Sequence, residues 1–252
     1  MNEPDYKEVI KDLSQIVVGD ISNLEEDRER VARDTSLFYV KPQIVIFPRT
    51  PKEIAKLFEY ISVMKKNGVN LSVAMRSAGT CMTGGSLSES IVIDMTRHMN
   101  HITDVTEFSA NAEPGAYYRD FEKKTLQKGW LMPSYPASRE LAAIGGIVSN
   151  NSGGEKTLVY GKTEKYIASL DVVFANGERD LMRPFMGREL EGKMNEGSEA
   201  GRIYKEMFTL INENYDIIKS AKPTVSKNSS GYYLWNVYDK EKIRFILKKK
   251  LK

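Results

Sequence analysis

The sequence is poor in residues that bind metals or form disulfides. Among 252 residues there is one cysteine, Cys81, and there are two histidines, His98 and His101. A single cysteine cannot close an internal disulfide, and a reducing, cytoplasmic setting is the expectation. The same scarcity argues against a zinc centre, so no metal is expected. No apolar run approaches the roughly 20 residues of a transmembrane helix. The opening residues, MNEPDYKEVIKDL, are polar and acidic, unlike a secretory signal. Charge excess is also missing: a net charge of +3 offers little to a nucleic acid, and no such partner is expected. Two nucleotide motifs are absent as well. There is no GxGxxG, and in YGKT (Tyr160–Thr163) Lys156 stands where a Walker A loop needs its first glycine.

What is present is an ordinary apolar fraction, 41%, arranged in short periodic segments. YKEVIKDLSQIV and LEEDRERVA carry helical spacing and predict an N-terminal helical arm over residues 1–38. QIVIF reads as a β-branched strand ending at Pro48. TPKE follows, with Thr50 as N-cap, Pro51 at the first helical position and Glu53 completing a capping box. The helix it opens should stop at Asn67-Gly68. LSVAM and SIVID are two further strands, and between them lies RSAGTCMTGGS, Arg76–Ser86. Further along, FSANAEPG reads as strand and turn, and AYYRDFEKKTLQKG as a helix stopped by Gly129. RELAAIGGIVSNNSGG should begin helical and dissolve into glycine and asparagine. SLDVVFANGERDLM has the pattern of a hairpin turning on Asn176-Gly177. GRIYKEMFTLINENYDIIK predicts another helix, and DKEKIRFILKKKLK a short basic one. The whole is α+β.

The glycine loop after LSVAM sits at the C-terminal end of a strand, where α/β sheets place their ligands. Its glycines let backbone N–H groups converge on an anion, and Thr80 and Thr83 add hydroxyl donors. Arg76 could add charge or pair with the sheet. A second cluster, IGGIVSNNSGG (Ile144–Gly154), could line the opposite side of an extended ligand. One such loop alone is also compatible with a plain tight turn. Two, each after an extended run, favour a long phosphate-containing cofactor.

In these segments the chain resembles the FAD-linked oxidase superfamily, the vanillyl-alcohol-oxidase type with a PCMH-type FAD-binding domain. Within it, the D-lactate and glycolate dehydrogenase branch is the nearest in pattern. KPQIVIFPRTPKEIAKLFEYI resembles the family's opening strand, proline and helix, and RSAGTCMTGGS its pyrophosphate loop, usually RGxGTxxxGG. EPGAYYRDFEKKTLQKG, PSYPASRELAAIGGIVSNNSGG and YGKTEKYIASLDVVFANGE resemble the following segments, in order.

The resemblance implies a PCMH-type FAD-binding domain of two α/β subdomains over residues 39–252, the first about 39–101 and the second about 102–252. It implies FAD whose pyrophosphate is held by Arg76, Ser77, Ala78, Gly79, Thr80, Thr83 and Gly84, with Pro48 near the adenine. Pro133, Ser134 and Ser138 would meet the phosphate and ribityl region. Gly145, Gly146, Ser149, Asn150 and Gly153 would wrap the flavin, and Ile167 would meet the adenosine through its backbone. Ser77 departs from the family's usual glycine. Thr80 stands where some relatives carry a histidine bonded to the flavin, so the FAD is expected to be non-covalent.

Relatives continue beyond this point into a substrate or cap domain, and the second subdomain is expected to be incomplete at its C-terminus. A C-terminal partner subunit or a missing substrate domain would supply the rest. The implied activity is hydride transfer from a small-molecule 2-hydroxy acid, such as D-lactate or glycolate, to FAD. Arg139 and Tyr160 are the in-chain candidates for catalysis. The alternatives are a flavin-binding subunit or inactive fragment without turnover, or an enzyme like the UDP-N-acetylenolpyruvoylglucosamine reductases. Peripheral membrane contact through the basic stretch Lys242–Lys252 is weighed below a solvated end. Tyr232, Tyr233, Trp235 and Tyr238 are read as packing rather than as a docking face.

Overall fold

The computed structural model describes residues 2–225, 228–229, 231–240 and 244–245. Its first half is built on a four-stranded sheet of order β1-β2-β4-β3, made from β1 (Asp20–Ser22), β2 (Ile44–Phe47), β3 (Val73–Arg76) and β4 (Ile91–Asp94). β2, β4 and β3 run parallel, and β1 lies antiparallel on the free edge of β2. Successive side chains in a strand face opposite ways. Ile44, Ile46, Ile91 and Ile93 therefore enter one core with α1 (Tyr6–Leu13) and α3 (Pro51–Lys66). Val45, Phe47 and Val92 enter another with Val31 of α2 (Glu25–Val31). Both faces are covered, which is why IVIF reads as a continuous apolar run rather than an alternating one.

Residues of the expected arm pack on this sheet, α1 in the first core and Val31 of α2 in the second. The strand between these helices, β1, was not expected from its short polar sequence. The α3 start behaves as predicted at Thr50, whose hydroxyl accepts from the Glu53 N–H at 3.3 Å. One Glu53 carboxylate oxygen accepts from the Thr50 hydroxyl at 3.0 Å, and the other reaches further. Buried, it accepts from the N–H groups of Val18 and Gly19 at 3.1 and 2.8 Å and so ties α3 to the chain entering β1.

The Tyr60 hydroxyl donates to Asp12 at 3.1 Å, docking α3 on α1. Burial, and then the Asp12 contact, push its pKa from the ordinary 10.0 up to about 12. A raised folded-state pKa means a contribution that is complete below the unfolded value and lost as pH rises through the folded one. Stability should therefore fall between pH 10 and about 12 through this group. In a spectrophotometric titration, Tyr60→Phe should remove a tyrosinate transition near pH 12. A titration unchanged by the substitution would contradict the docking.

The second half starts with the short pair β5 (Ile102–Thr103) and β6 (Asn111–Ala112), then α4 (Tyr118–Leu126). Tyr118, Phe121, Met132, Tyr135, Ile144 and Ile147 form its core. The helix expected to begin in RELAA instead forms inside the glycines, as α5 (Ile144–Ser149). Tertiary pairing overrides propensity here. The N–H of Tyr118 donates to Ala142 and that of Ile144 to Ala116, which hold Ala142–Ile144 extended along the entry to α4.

α6 (Thr157–Tyr160) precedes the predicted hairpin, β7 (Leu170–Val173) and β8 (Arg179–Met182), whose turn has Gly177 at φ +89° against α3. α7 (Gly187–Met194), α8 (Glu199–Glu213) and α9 (Tyr215–Ser220) build a third core around Phe185, Leu190, Tyr204 and Ile211. Tyr238 joins that core, Tyr233 stacks on Trp235, and Tyr232 is exposed.

The expected basic terminal helix is corrected where it is described. β10 (Arg244–Phe245) is extended and pairs antiparallel with β9 (Tyr238–Asp239). Strand pairing satisfies backbone groups that an isolated short helix would leave marginal. The rest of Lys242–Lys252 lies outside the described residues. Among the described residues no helix is long and apolar enough to cross a membrane.

Candidate functional site

The loop Arg76–Ser86 leaves the C-terminal end of β3 and returns to β4. Gly79 and Gly84 take φ values of +68° and +77°, a region that side chains disfavour. Backbone N–H groups normally find partners. From Ser77 to Met82 none donates to any acceptor among the described residues. The loop is a run of unused donors, the groups that bind a phosphate anion.

Arg76 does not reach into it. Its buried guanidinium lies beneath Gly79, contacting the Val31 carbonyl and the Ser86 hydroxyl at 3.4 Å each. Burial lowers its pKa, and the Asp94 charge opposes this. Asp94 is itself buried, paired with Arg30 at 3.1 Å and accepting from Thr96. Arg76 thus lies below the loop, in contact with the end of α2 and with the loop's last residue.

The Cys81 thiol lies within the loop, 2.9 Å from the Thr83 hydroxyl. Burial pushes the thiol pKa up, but the Thr83 hydroxyl and the Thr83 and Gly85 amides outweigh it and bring it below the ordinary value. Thr83 is thereby engaged with Cys81 as well as exposed to solvent. Pro48 is buried at the end of β2, beside Gly19.

The two glycine clusters meet. The Ser77 hydroxyl donates to the Pro114 carbonyl at 2.9 Å, and the Gly145 N–H donates to the same carbonyl at 2.9 Å. A Cβ on Gly145 would lie 2.7 Å from that oxygen and 2.8 Å from Ser77 Oγ, so only glycine permits this approach. Gly146 and Ala78 follow, accessible and with unused N–H groups. The clusters are therefore adjoining walls at this point rather than opposite sides of a wide cleft. The Ser77 hydroxyl supplies the tie.

The remaining predicted residues divide into a buried and an exposed set. Ser134 is buried, its hydroxyl 3.2 Å from that of Thr163, which donates to the Ser152 carbonyl at 2.8 Å. Ser138, Ser149 and Asn150 are exposed, and Pro133, Gly153 and Ile167 are partly covered. Asn150 contacts the Ser152 hydroxyl at 3.3 Å. Gly153 packs against Thr157, whose buried hydroxyl has no partner among the described residues.

Of the two catalytic candidates, Arg139 lies over the Tyr135 ring at 4.4 Å, and Tyr135 in turn donates to Glu155 at 2.9 Å. Tyr160 is exposed on α6, and its carbonyl accepts from Tyr166. Sequence reasoning missed Pro114, Thr163 and Thr35, because each acts on residues distant in the chain. An open groove of about 500 Å³ beside His101, Tyr117, Asp120 and Lys124 contains none of the predicted site residues. Unused donors, not concavity, mark the site.

Unpaired amides, a glycine-backed approach and neutral hydroxyls fit a pyrophosphate-linked cofactor. The model of the FAD binding domain family matches residues 42–179, more than half of the chain, and the chain belongs to that family. It is 26% identical over 236 residues to D-2-hydroxyglutarate dehydrogenase of Pantoea ananatis, covering 93% of this chain and 23% of that protein. It is 32% identical over 177 residues to glycolate oxidase subunit GlcD of Bacillus subtilis, covering 62% of this chain and 36% of that one. Among solved structures, alkyldihydroxyacetonephosphate synthase matches with a TM-score of 0.61 and 20% identity, over 72% of this chain and 36% of that one. 6-Hydroxy-D-nicotine oxidase of Arthrobacter nicotinovorans matches at 0.57 and 20%, over 66% and 36%. The chain therefore spans about a quarter to a third of the length of these curated relatives.

Proposed function

We propose that this chain is the FAD-binding part of a flavin-dependent oxidoreductase that oxidises a small 2-hydroxy acid. The observation that carries the reading is the run of unused amides from Ser77 to Met82 beside the Gly145 approach. In this reading Ser77, Ala78, Gly79, Thr80 and Gly84 hold the pyrophosphate through backbone N–H groups, with Thr83 at the rim and Arg76 as the support beneath. Pro48 and Ile167 border the adenosine. Pro133, Ser134 and Ser138 flank the ribityl and phosphate region, and Gly145, Gly146, Ser149, Asn150 and Gly153 flank the flavin. The boundary between the two halves falls near residue 101, after β4 ends at Asp94 and before β5 begins at Ile102. Thr80 has no side chain able to bond to the flavin, which supports non-covalent binding.

Bound FAD would supply a two-electron acceptor for a hydride, and the chain's part is to hold and orient it. The relatives' names, D-2-hydroxyglutarate dehydrogenase and glycolate oxidase subunit, support the substrate class. The lone cysteine supports a reducing compartment. Arg139 and Tyr160 are assigned as residues near the flavin segments. Because the chain spans only part of its relatives, a second reading is a flavin-holding unit whose turnover depends on a separate substrate domain or subunit.

The purified chain should show a flavin spectrum whose chromophore enters the supernatant after acid precipitation. Under anaerobic conditions, D-2-hydroxyglutarate, D-lactate or glycolate should then bleach it, if the chain turns over alone. A chain that carries no flavin and takes up none on titration would overturn the cofactor reading. Flavin binding without bleaching by any 2-hydroxy acid would favour the second reading.

A further inference from the structure

The glycine loop is held in shape by a segment that precedes the family-matched residues. Thr35 donates its N–H to the Cys81 carbonyl at 3.0 Å, and its hydroxyl lies 2.8 Å from that carbonyl and 3.1 Å from the Thr80 carbonyl. The Val31 carbonyl accepts from Arg76 beneath the loop. The Phe38 ring packs on Gly84, where a Cβ would lie 2.9 Å from it.

We propose that Val31–Phe38 braces the loop and that Thr35 is a positioning residue for cofactor binding. The argument is geometric and rests on the FAD reading above. A trans peptide is planar, with its C=O and N–H pointing in opposite directions. Drawing the Thr80 carbonyl towards Thr35 therefore turns the Cys81 N–H away from it, and drawing the Cys81 carbonyl does the same for the Met82 N–H. Neither N–H has an acceptor among the described residues. Thr35 takes up the two carbonyls that would repel a phosphate and leaves the two donors facing the other way. Nothing in Thr35 touches the ligand. Its role is exercised through the loop.

The test is FAD titration of the full chain, followed by flavin fluorescence, for the parent, Thr35→Val and Thr35→Ser. Valine keeps the shape and loses the hydroxyl, while serine keeps the hydroxyl and loses the methyl. Thr35→Val should bind FAD about tenfold more weakly, the effect of losing a hydrogen bond that orients a donor. Thr35→Ser should stay within about twofold of the parent. The apo proteins should unfold at the same temperature, which separates positioning from general stability. Hydrogen exchange on the parent gives a second readout: FAD should slow exchange at the Cys81 and Met82 amides. Equal FAD affinity in all three proteins, a loss that follows the methyl instead, or no protection of those amides would overturn the inference. A parent that binds no FAD would sink the cofactor reading and this inference with it, whereas parental binding with an unaffected valine variant would sink this inference alone.

Discussion

Gly145→Ala is expected to weaken FAD binding by about ten- to a hundredfold. The added methyl would fall 2.6 Å from Pro114 Cβ, 2.7 Å from its carbonyl and 2.8 Å from Ser77 Oγ. Two of these atoms form the tie that brings the glycine loop against α5. The methyl can be admitted only if the loop and the turn at Pro114 move apart. Overpacking of this kind costs about 1–3 kcal/mol. In the apo protein the loop can open and avoid much of that cost, but a bound cofactor demands the closed arrangement. The strain is then read as lost affinity, at about 1.4 kcal/mol for each factor of ten. Titration of the variant with FAD measures it directly. Gly192→Ala in α7 is the control, because a Cβ there meets nothing within 4 Å. If Gly145→Ala binds FAD as tightly as that control, the two clusters do not act together on the ligand.

Gly115→Ala should produce a large loss of stability, about 3 kcal/mol or more. Its Cβ would lie 2.6 Å from the Met95 carbonyl carbon and 2.7 Å from the Met99 oxygen, inside contact distance with two backbone groups. A flexible side chain could rotate away, but these carbonyls belong to the turn that follows β4 and cannot. The Gly115 N–H also donates to the Met99 carbonyl at 2.8 Å, so any retreat would break that bond. The position joins the four-stranded half to the second core through Ala116 and Tyr118. Urea unfolding should show the midpoint falling sharply, with the Gly192→Ala midpoint unchanged or slightly raised by its better helix propensity. A Gly115→Ala variant within about 0.5 kcal/mol of the parent would show that the two halves are not closely joined here.

From β2 to β4 the elements were legible because local and long-range forces agree there. Thr50, Pro51 and Gly68 mark the ends of α3, and the apolar run IVIF follows from a sheet covered on both faces. The hairpin at Asn176-Gly177 was equally clear, since its turn needs a positive φ that glycine supplies. Where local propensity and tertiary pairing disagree, the sequence misleads. α5 forms within IGGIVS, two glycines included, because Ile144 and Ile147 are buried and the preceding residues are held extended beside α4. β1 is short and polar and becomes a strand only because β2 offers it an edge.

At the site, the residue types in the two glycine clusters and their order were enough to indicate what class of ligand they suit. Glycine, serine and threonine without carboxylates already specify neutral donors, and that information is local. How the clusters meet was not local. The Ser77–Pro114–Gly145 tie joins residues from three separate segments, Arg76 turns under the loop instead of into it, and Thr35 reaches carbonyls far along the chain. Such contacts depend on which backbone groups remain unpaired once the strands and helices have packed. The sequence determined the donors; only the tertiary structure decided which way they face.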